Sequence, residues 1–185
     1  MAKTPQGKQF LKDLATQLKR LQDELVVANK AEGKDEYIMV KLGKDQARFE
    51  RVKVEGEKDK MLGKFLITVE ITAKKSDVFL PLSIASGKKP TGFMYQIEGT
   101  GEGVITTADV TVRGEAVSQV TLGTLLFAKI PATKTATFRI QTTIRGKAGK
   151  TYKIIINRIN YKLTLTDARY QQYLKPLVSD SVKLS

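Results

Sequence analysis

The sequence predicts a mainly β protein: an antiparallel β-sandwich, of immunoglobulin-like or jelly-roll type, that follows an N-terminal amphipathic α-helix. The period at which apolar residues recur changes from about 3.6 residues to 2 residues after Gly33 and stays at 2. Clusters of Gly, Pro, Ser and Asp punctuate the alternating segments, and no helical pattern separates those segments. With 41% hydrophobic and 28% charged residues among 185, the chain can bury a core of ordinary size.

The first 33 residues have the pattern of a single helix. Thr4 is a candidate N-cap and Pro5 occupies the first helical position, where its missing N–H is harmless. Apolar residues then recur at alternating spacings of three and four. This stripe can pack against the chain's own domain or drive self-association. The candidate oligomerisation residues are Leu11, Leu14, Leu18, Leu21 and Leu25.

A series of alternating segments in residues 34–166 forms the predicted sandwich domain. The first two segments, separated by Gly43 to Gln46, are interpreted as a hairpin. A short helix over residues 167–175, stopped near Pro176, and a polar tail make up the last predicted segment, 167–185. The predicted strands are 38–42, 49–55, 65–72, 78–84, 93–98, 104–112, 116–128, 135–145 and 151–165.

The composition excludes much active-site chemistry. The chain lacks Cys, His and Trp, so it can form no disulfide and offers no thiol nucleophile, imidazole base or ordinary zinc site. We therefore expect a protein that is not an enzyme and that needs no cofactor or metal. An enzyme would have to act through carboxylate, Lys, Tyr, Ser or Thr side chains.

The sequence contains no apolar run long enough to span a membrane. The segment after Met1 is amphipathic, unlike the apolar core of a signal peptide. We expect a cytoplasmic or virion protein from the sequence as written, or a protein of the extracellular surface if a leader has been removed.

Two glycine-rich segments are comparable to nucleotide-binding loops. Gly146 to Thr151 ends in Gly-Lys-Thr, but Ile144 stands where a phosphate-binding loop needs glycine. A strand-like segment follows, where such a loop needs a helix. Gly99 to Gly103 lacks the G-x-G-x-x-G spacing. We interpret both segments as turns between strands.

Positive charge is concentrated late in the sequence. Residues 129–185 hold 12 Lys and Arg against 2 Asp, in a chain of net charge +13. Alternation puts the basic residues of 135–145 and 151–165 opposite the apolar ones, so a hairpin of these strands would present a continuous basic strip. Such a strip suits a nucleic acid, an acidic surface polymer or an acidic face of another subunit, or is a solvated face without a ligand. The candidate binding residues are Arg139, Arg145, Lys147, Lys150, Arg158 and Lys162.

Part of this basic segment resembles a known family. A Pro-Ala turn at Pro131-Ala132 leads into a Thr-rich strand, and Gly149-Lys150-Thr151-Tyr152 leads into the next strand, which reaches Tyr161. Over residues 130–161 this arrangement resembles the last strands of immunoglobulin-like β-sandwich modules in bacterial surface proteins. The resemblance implies a non-catalytic adhesion or assembly module.

The expected function is that of a structural or adhesive subunit of a larger assembly, such as a virion or a cell-surface filament. Its contacts with other copies or other subunits would be the leucine stripe and the basic hairpin. The alternative is a nucleic-acid-binding protein that uses the same hairpin. Salt distinguishes the two, because phosphate contacts release counterions and weaken as salt rises.

Overall fold

The computed structural model describes residues 35–53, 58, 60–85 and 91–185. The helix predicted over residues 1–33, with the leucine stripe from Leu11 to Leu25, lies outside the described residues. The described part forms strands, turns and irregular segments without a helix, so the predicted mainly β fold is confirmed. In chain order the strands are β1 (Ile38–Leu42), β2 (Gln46–Val52), β3 (Lys60–Ala73), β4 (Val78–Pro81), β5 (Ile84–Ala85), β6 (Phe93–Gly99), β7 (Gly103–Arg113), β8 (Ser118–Leu122), β9 (Leu125–Ile130), β10 (Thr135–Gly146), β11 (Thr151–Tyr161), β12 (Gln171–Tyr173), β13 (Leu177–Val178) and β14 (Val182–Lys183).

These strands form three sheets. The first has the order β1-β3-β10-β7, and β2 also pairs with β3. The second has the order β12-β11-β6-β5, with β13 and β14 also paired to β11. The third is β4-β9-β8, and a bridge between Phe79 and Lys162 joins it to the end of β11. Among the described strands the pairing is antiparallel except between β5 and β6.

The first two sheets share one buried core, because apolar residues alternate along their central strands. Phe93 of β6 and Phe138 of β10 meet edge to face, with ring centroids 5.4 Å apart and an interplanar angle of 62°. This contact joins a strand of the second sheet to a strand of the first. The same core contains the buried side chains of Ile67, Ile71, Ile130, Ile140, Ile144, Tyr152 and Tyr161.

A half-buried hydrogen-bond cluster fixes where β1 begins. The Tyr161 hydroxyl donates to Asp35 Oδ1 at 2.7 Å, and the backbone N–H groups of Tyr37 and Ile38 donate to the same oxygen at 2.9 and 3.1 Å. Burial, followed by the hydrogen bond to Asp35, raises the pKa of Tyr161 well above its usual range. The cluster ties the entry of the first sheet to β11 of the second.

The hairpin predicted from the first two strands is wrong. β1 and β2 do not pair with each other but lie in succession on the same edge of β3, against residues 69–73 and 60–66. Between them the Gly43 N–H donates to the Thr68 carbonyl at 2.7 Å. A Cβ at Gly43 would come within 3.1 Å of the Thr68 side chain, so glycine permits this close passage. Residues 43–45 are a break in one edge strand.

The short helix predicted over residues 167–175 is also wrong. Three short strands, β12, β13 and β14, pair one after another along β11. Leu177, Val182 and Leu184 are buried, so the predicted polar tail is part of the core. The unpaired edge of β11 offers backbone partners along its length, and these outweigh the weak helix preference of a short segment.

Residues 116–128 were predicted as one strand and instead form the β8–β9 hairpin. Gly123 occupies the first turn position with φ +61°, a conformation that glycine adopts without strain. Val120 pairs with Phe127, and Leu122 pairs with Leu125. The Gly-Thr pair between two apolar runs is the hairpin signal that alternation alone did not reveal.

Candidate functional site

The six basic residues singled out by the sequence do not form one strip. Arg139 and Arg145 lie on β10 in the first sheet, whereas Arg158 lies on β11 in the second. The chain therefore crosses from one sheet to the other after β10, and the predicted β10–β11 hairpin is wrong. Arg139 and Arg158 are both exposed, but on different sheets. A hairpin and a crossover between sheets have the same alternation, so periodicity could not distinguish them.

Lys162 departs furthest from its prediction, because it is only 8% exposed. Its Nζ donates to the Asp167 carbonyl at 2.6 Å. The same ammonium lies 4.9 Å from the ring centroid of Tyr170 and 5.9 Å from that of Phe127. Residues 165–170 fold back over this side chain and, together with Phe127 of β9, enclose it. Lys162 is therefore a structural cation, and its prediction as a surface binding residue is wrong.

Arg145, Lys147 and Lys150 do lie together, at the end of β10 and in the turn that follows. Arg145 and Lys150 form no ion pair with any residue that the structure describes. Lys147 Nζ reaches the Glu102 carboxylate only at 4.0 Å, and both side chains are largely exposed. An exposed pair at that distance contributes little, so the positive charge of this turn is open to a partner.

Tyr152 holds this turn against the glycine-rich turn between β6 and β7. Its hydroxyl accepts from the Lys147 backbone N–H at 3.0 Å and donates to the Glu102 carbonyl at 3.0 Å. The Tyr152 residue is 1% exposed, and a Cβ added at Gly146 would come within 2.5 Å of its ring. Both glycine-rich segments connect strands, as interpreted from the sequence, and their glycines make room for the ring that fixes them.

A depression of about 610 Å³ lies beside this turn, and its lining is strongly basic. Arg145 shares it with Arg51 of β2, Lys60 of β3 and Lys58 between those strands. The lining includes no acidic residue of the described part of the chain. The structure thus places three cations of β2, β3 and their connection next to the basic turn that the sequence predicts.

The sequence did not predict these three cations as part of a binding site, because acidic residues stand among them and leave that segment without an evident excess of positive charge. Glu55, Glu57 and Asp59 share the β2–β3 connection with Lys58 and lie outside the described residues. Only strand register brings the connection next to the end of β10: Arg145 pairs with Leu62 in β3. We define the basic end of the domain as the four cations that line the depression, Arg51, Lys58, Lys60 and Arg145, together with Lys147 and Lys150 of the turn that borders it.

A second depression, of about 490 Å³, lies on the outer face of the first sheet and carries both signs of charge. Arg48, Lys64 and Asp109 all line it. Lys64 Nζ lies 2.5 Å from the Glu50 carboxylate, and this hydrogen bond lowers the pKa of Glu50. Mixed charges offset one another's attraction for a polyanion, so the basic end is the better candidate site.

No protein-family model, curated protein or solved structure matches the chain. Within the described ranges, no helix has the length and apolarity that crossing a membrane requires. In the same residues no group of three or more carboxylates is placed to hold a metal ion. The candidate site is therefore defined by its own geometry and charge.

Proposed function

We propose that this protein is a non-enzymatic structural or adhesive subunit of a larger assembly, such as a virion or a cell-surface filament. In this proposal the basic end contacts an anionic surface of a partner subunit. The domain is then a β-sandwich of immunoglobulin-like or jelly-roll type, an assignment supported by the core that the two larger sheets share. The observation that carries the proposal is the depression lined by Arg51, Lys58, Lys60 and Arg145, with the turn of Lys147 and Lys150 at its border.

At the end of β10 and in the turn that follows it, the backbone of the basic end is pre-arranged for binding. Arg145 lies on a paired strand, and the turn that carries Lys147 and Lys150 is fixed by the Tyr152 hydroxyl. A partner therefore meets cations whose backbone loses little freedom on binding. The net charge of +13 also attracts an anionic partner from a distance.

Poly-glutamate is a suitable probe for an acidic protein surface. We expect the Arg145→Glu/Lys150→Glu variant of the full chain to bind it at least about tenfold more weakly than the parent, a loss of about 1.4 kcal/mol. Arg139→Glu/Arg158→Glu is the matched control, because it changes the net charge equally at exposed positions outside the basic end. Equal losses in the two variants would show that only net charge matters and would overturn the proposed site.

Nucleic-acid binding is the second candidate, favoured by the concave shape of the basic lining. Fluorescence anisotropy with labelled single-stranded and double-stranded oligonucleotides tests it. A site that engages several phosphates predicts that log K falls with log salt with a slope of magnitude about 3 or more. Binding that is no tighter than that of poly-glutamate, or that survives the Arg145→Glu/Lys150→Glu changes, would reject this candidate.

The leucine stripe is proposed as a second contact of the assembly subunit. Replacing Leu14 and Leu21 with Gln keeps a helix-compatible residue but removes the apolar seam. Light scattering after size-exclusion chromatography then compares the oligomeric mass of the parent and the variant. An unchanged mass would remove self-association through the stripe while leaving the basic end unaffected.

A further inference from the structure

The second depression, on the outer face of the first sheet, is built from side chains of four neighbouring strands. Strand register places four of these side chains in one row across the sheet: Gln46 of β2, Leu66 of β3, Gln141 of β10 and Asp109 of β7. Because neighbouring strands lie about 4.8 Å apart, the row is about 14 Å long. All four residues line the depression of about 490 Å³, a volume within the range of small-molecule sites.

A β-bulge in β7 lies beside this row. Thr143 of β10 pairs with Thr107 of β7, and both residues line the depression. The next residue of β10 pairs with Ile105, which leaves Thr106 as the extra residue in β7. The Thr106 hydroxyl donates to the Thr143 carbonyl at 3.2 Å. A bulged strand bends and twists more strongly than a regular one, so the backbone itself shapes this side of the depression.

The charges around the row offset one another. Arg48 and Lys64 line the depression in the adjacent row of the same face. Lys64 Nζ contacts the Glu50 carboxylate, and the Asp109 carboxylate lies across the sheet on β7. Two cations are thus balanced by two carboxylates, so the depression has no net attraction for an anion or a cation. This balance favours a ligand without net charge.

The polar side chains of the row have hydrogen-bonding capacity to offer a ligand. Gln46, Gln141 and Asp109 are exposed, and their side chains form no hydrogen bond or ion pair with any residue that the structure describes. An amide both donates and accepts, and a carboxylate accepts. Adjacent hydroxyl groups of one ligand match such a set, because each hydroxyl also donates and accepts. Leu66 is half-buried between the two amides and adds an apolar patch.

We propose that this depression binds a neutral oligosaccharide. A neutral sugar combines many hydroxyl groups with apolar C–H surfaces and carries no charge, so it complements the amides, the Asp109 carboxylate and Leu66 together. The lining residues lie on paired strands, so their backbone loses little freedom on binding. The site adds a ligand of a different class to the anionic partner of the basic end and does not depend on that partner.

Isothermal titration calorimetry of the full chain with maltotetraose and chitotetraose, two neutral oligosaccharides, tests the proposal. We expect saturable binding of at least one of them. A neutral ligand releases no counterions, so its Kd should change less than about twofold between about 50 and 200 mM salt. A sulfated oligosaccharide is the third probe, and we expect it to bind through the basic end, with an affinity that falls as salt rises.

Two substitutions locate the bound sugar. Asp109→Asn removes the charged acceptor and Gln141→Leu removes an amide, and each should weaken binding of the neutral sugar about tenfold. Glu70→Gln is the matched control, because Glu70 is exposed on the same face of β3 but outside the depression. Circular dichroism confirms that each variant keeps the parent fold.

Several outcomes would overturn the sugar site. Binding of neither neutral sugar would do so, as would an equal loss of binding in Glu70→Gln. Loss of neutral-sugar binding in the Arg145→Glu/Lys150→Glu variant would place the sugar at the basic end instead. Failure of the parent to bind poly-glutamate, with sugar binding intact, would overturn the proposed function of the basic end and leave the sugar site standing.

Discussion

Replacing Tyr152 with phenylalanine measures how firmly one hydroxyl joins the two glycine-rich turns. The change keeps the buried ring and removes two hydrogen bonds of 3.0 Å, one from the Lys147 N–H and one to the Glu102 carbonyl. Each contributes about 1 kcal/mol net. Lys147 and Glu102 are exposed, so water can replace part of the loss. We expect the free energy of unfolding to fall by about 1 to 2 kcal/mol.

Urea denaturation followed by circular dichroism measures this change, and hydrogen exchange at the Lys147 amide measures its local part. Tyr95→Phe is the matched control, because the half-buried Tyr95 hydroxyl forms no hydrogen bond with the residues that the structure describes. We expect the control to stay within about 0.5 kcal/mol of the parent. A Tyr152→Phe loss no larger than the control's, with unchanged exchange at Lys147, would refute the reasoning.

Three further predictions concern the core and the response to pH. Phe138→Ala removes the ring that meets Phe93 at 5.4 Å and should cost about 3 to 5 kcal/mol of unfolding free energy in urea denaturation. Burial raises the pKa of Tyr161, so above about pH 10 the unfolded state loses this proton while the native state keeps it. Stability therefore falls as pH rises, and Tyr161→Phe should make that fall shallower in urea titrations between about pH 9 and 11. The hydrogen bond from Lys129, aided by the Ala132 N–H, lowers the pKa of Asp77. Its contribution is present above the unfolded pKa of about 3.9 and is lost as pH falls through the lowered native value. Asp77→Asn should cost about 0.5 to 1 kcal/mol at neutral pH and reduce the acid-dependent loss.

Each of these predictions has an outcome that contradicts it. Phe79→Ala is the comparison for Phe138, because Phe79 is half-buried. An equal loss of unfolding free energy in the two variants would show that Phe138 contributes no more to the core than a half-buried ring. For Tyr161, parallel alkaline stability curves of parent and variant would show that its proton does not differ between the native and unfolded states. For Asp77, an unchanged acid profile in Asp77→Asn would show that the Lys129 contact is not maintained in solution.

The strands of the core were predictable because period-two alternation reflects burial directly. Residues 38–42 and 135–145 alternate cleanly, and β1 and β10 occupy almost the same ranges. Connections were not predictable in the same way. Gly43 marks a break in one edge strand, whereas Gly123 marks a true reversal. Both are single glycines between strands, and only the partner strand β3 or β9 decides what each does.

Only the local part of the candidate site could be predicted, because strand pairing supplies the rest. The turn with Lys147 and Lys150 is local in sequence, so its charge was visible there. Arg51 and Lys60 join it through the register of β3 with β2 and β10, a long-range fact. The burial of Lys162 depends on Phe127 of β9 and on residues 165–170 folding back over its side chain, and nothing in the alternation of β11 itself indicates that covering.

The strands that flank β11 on one side come later in the sequence than β11 itself. During synthesis the ribosome releases residues 171–184 after β11, so the nascent domain has its second sheet bare along one side until they emerge. Leu177, Val182 and Leu184 join the core only after β11 has emerged. Docking of this interrupted strand therefore completes that side of the second sheet, and a stalled chain that lacks it presents to chaperones, or to another stalled chain, an unprotected edge and an apolar surface.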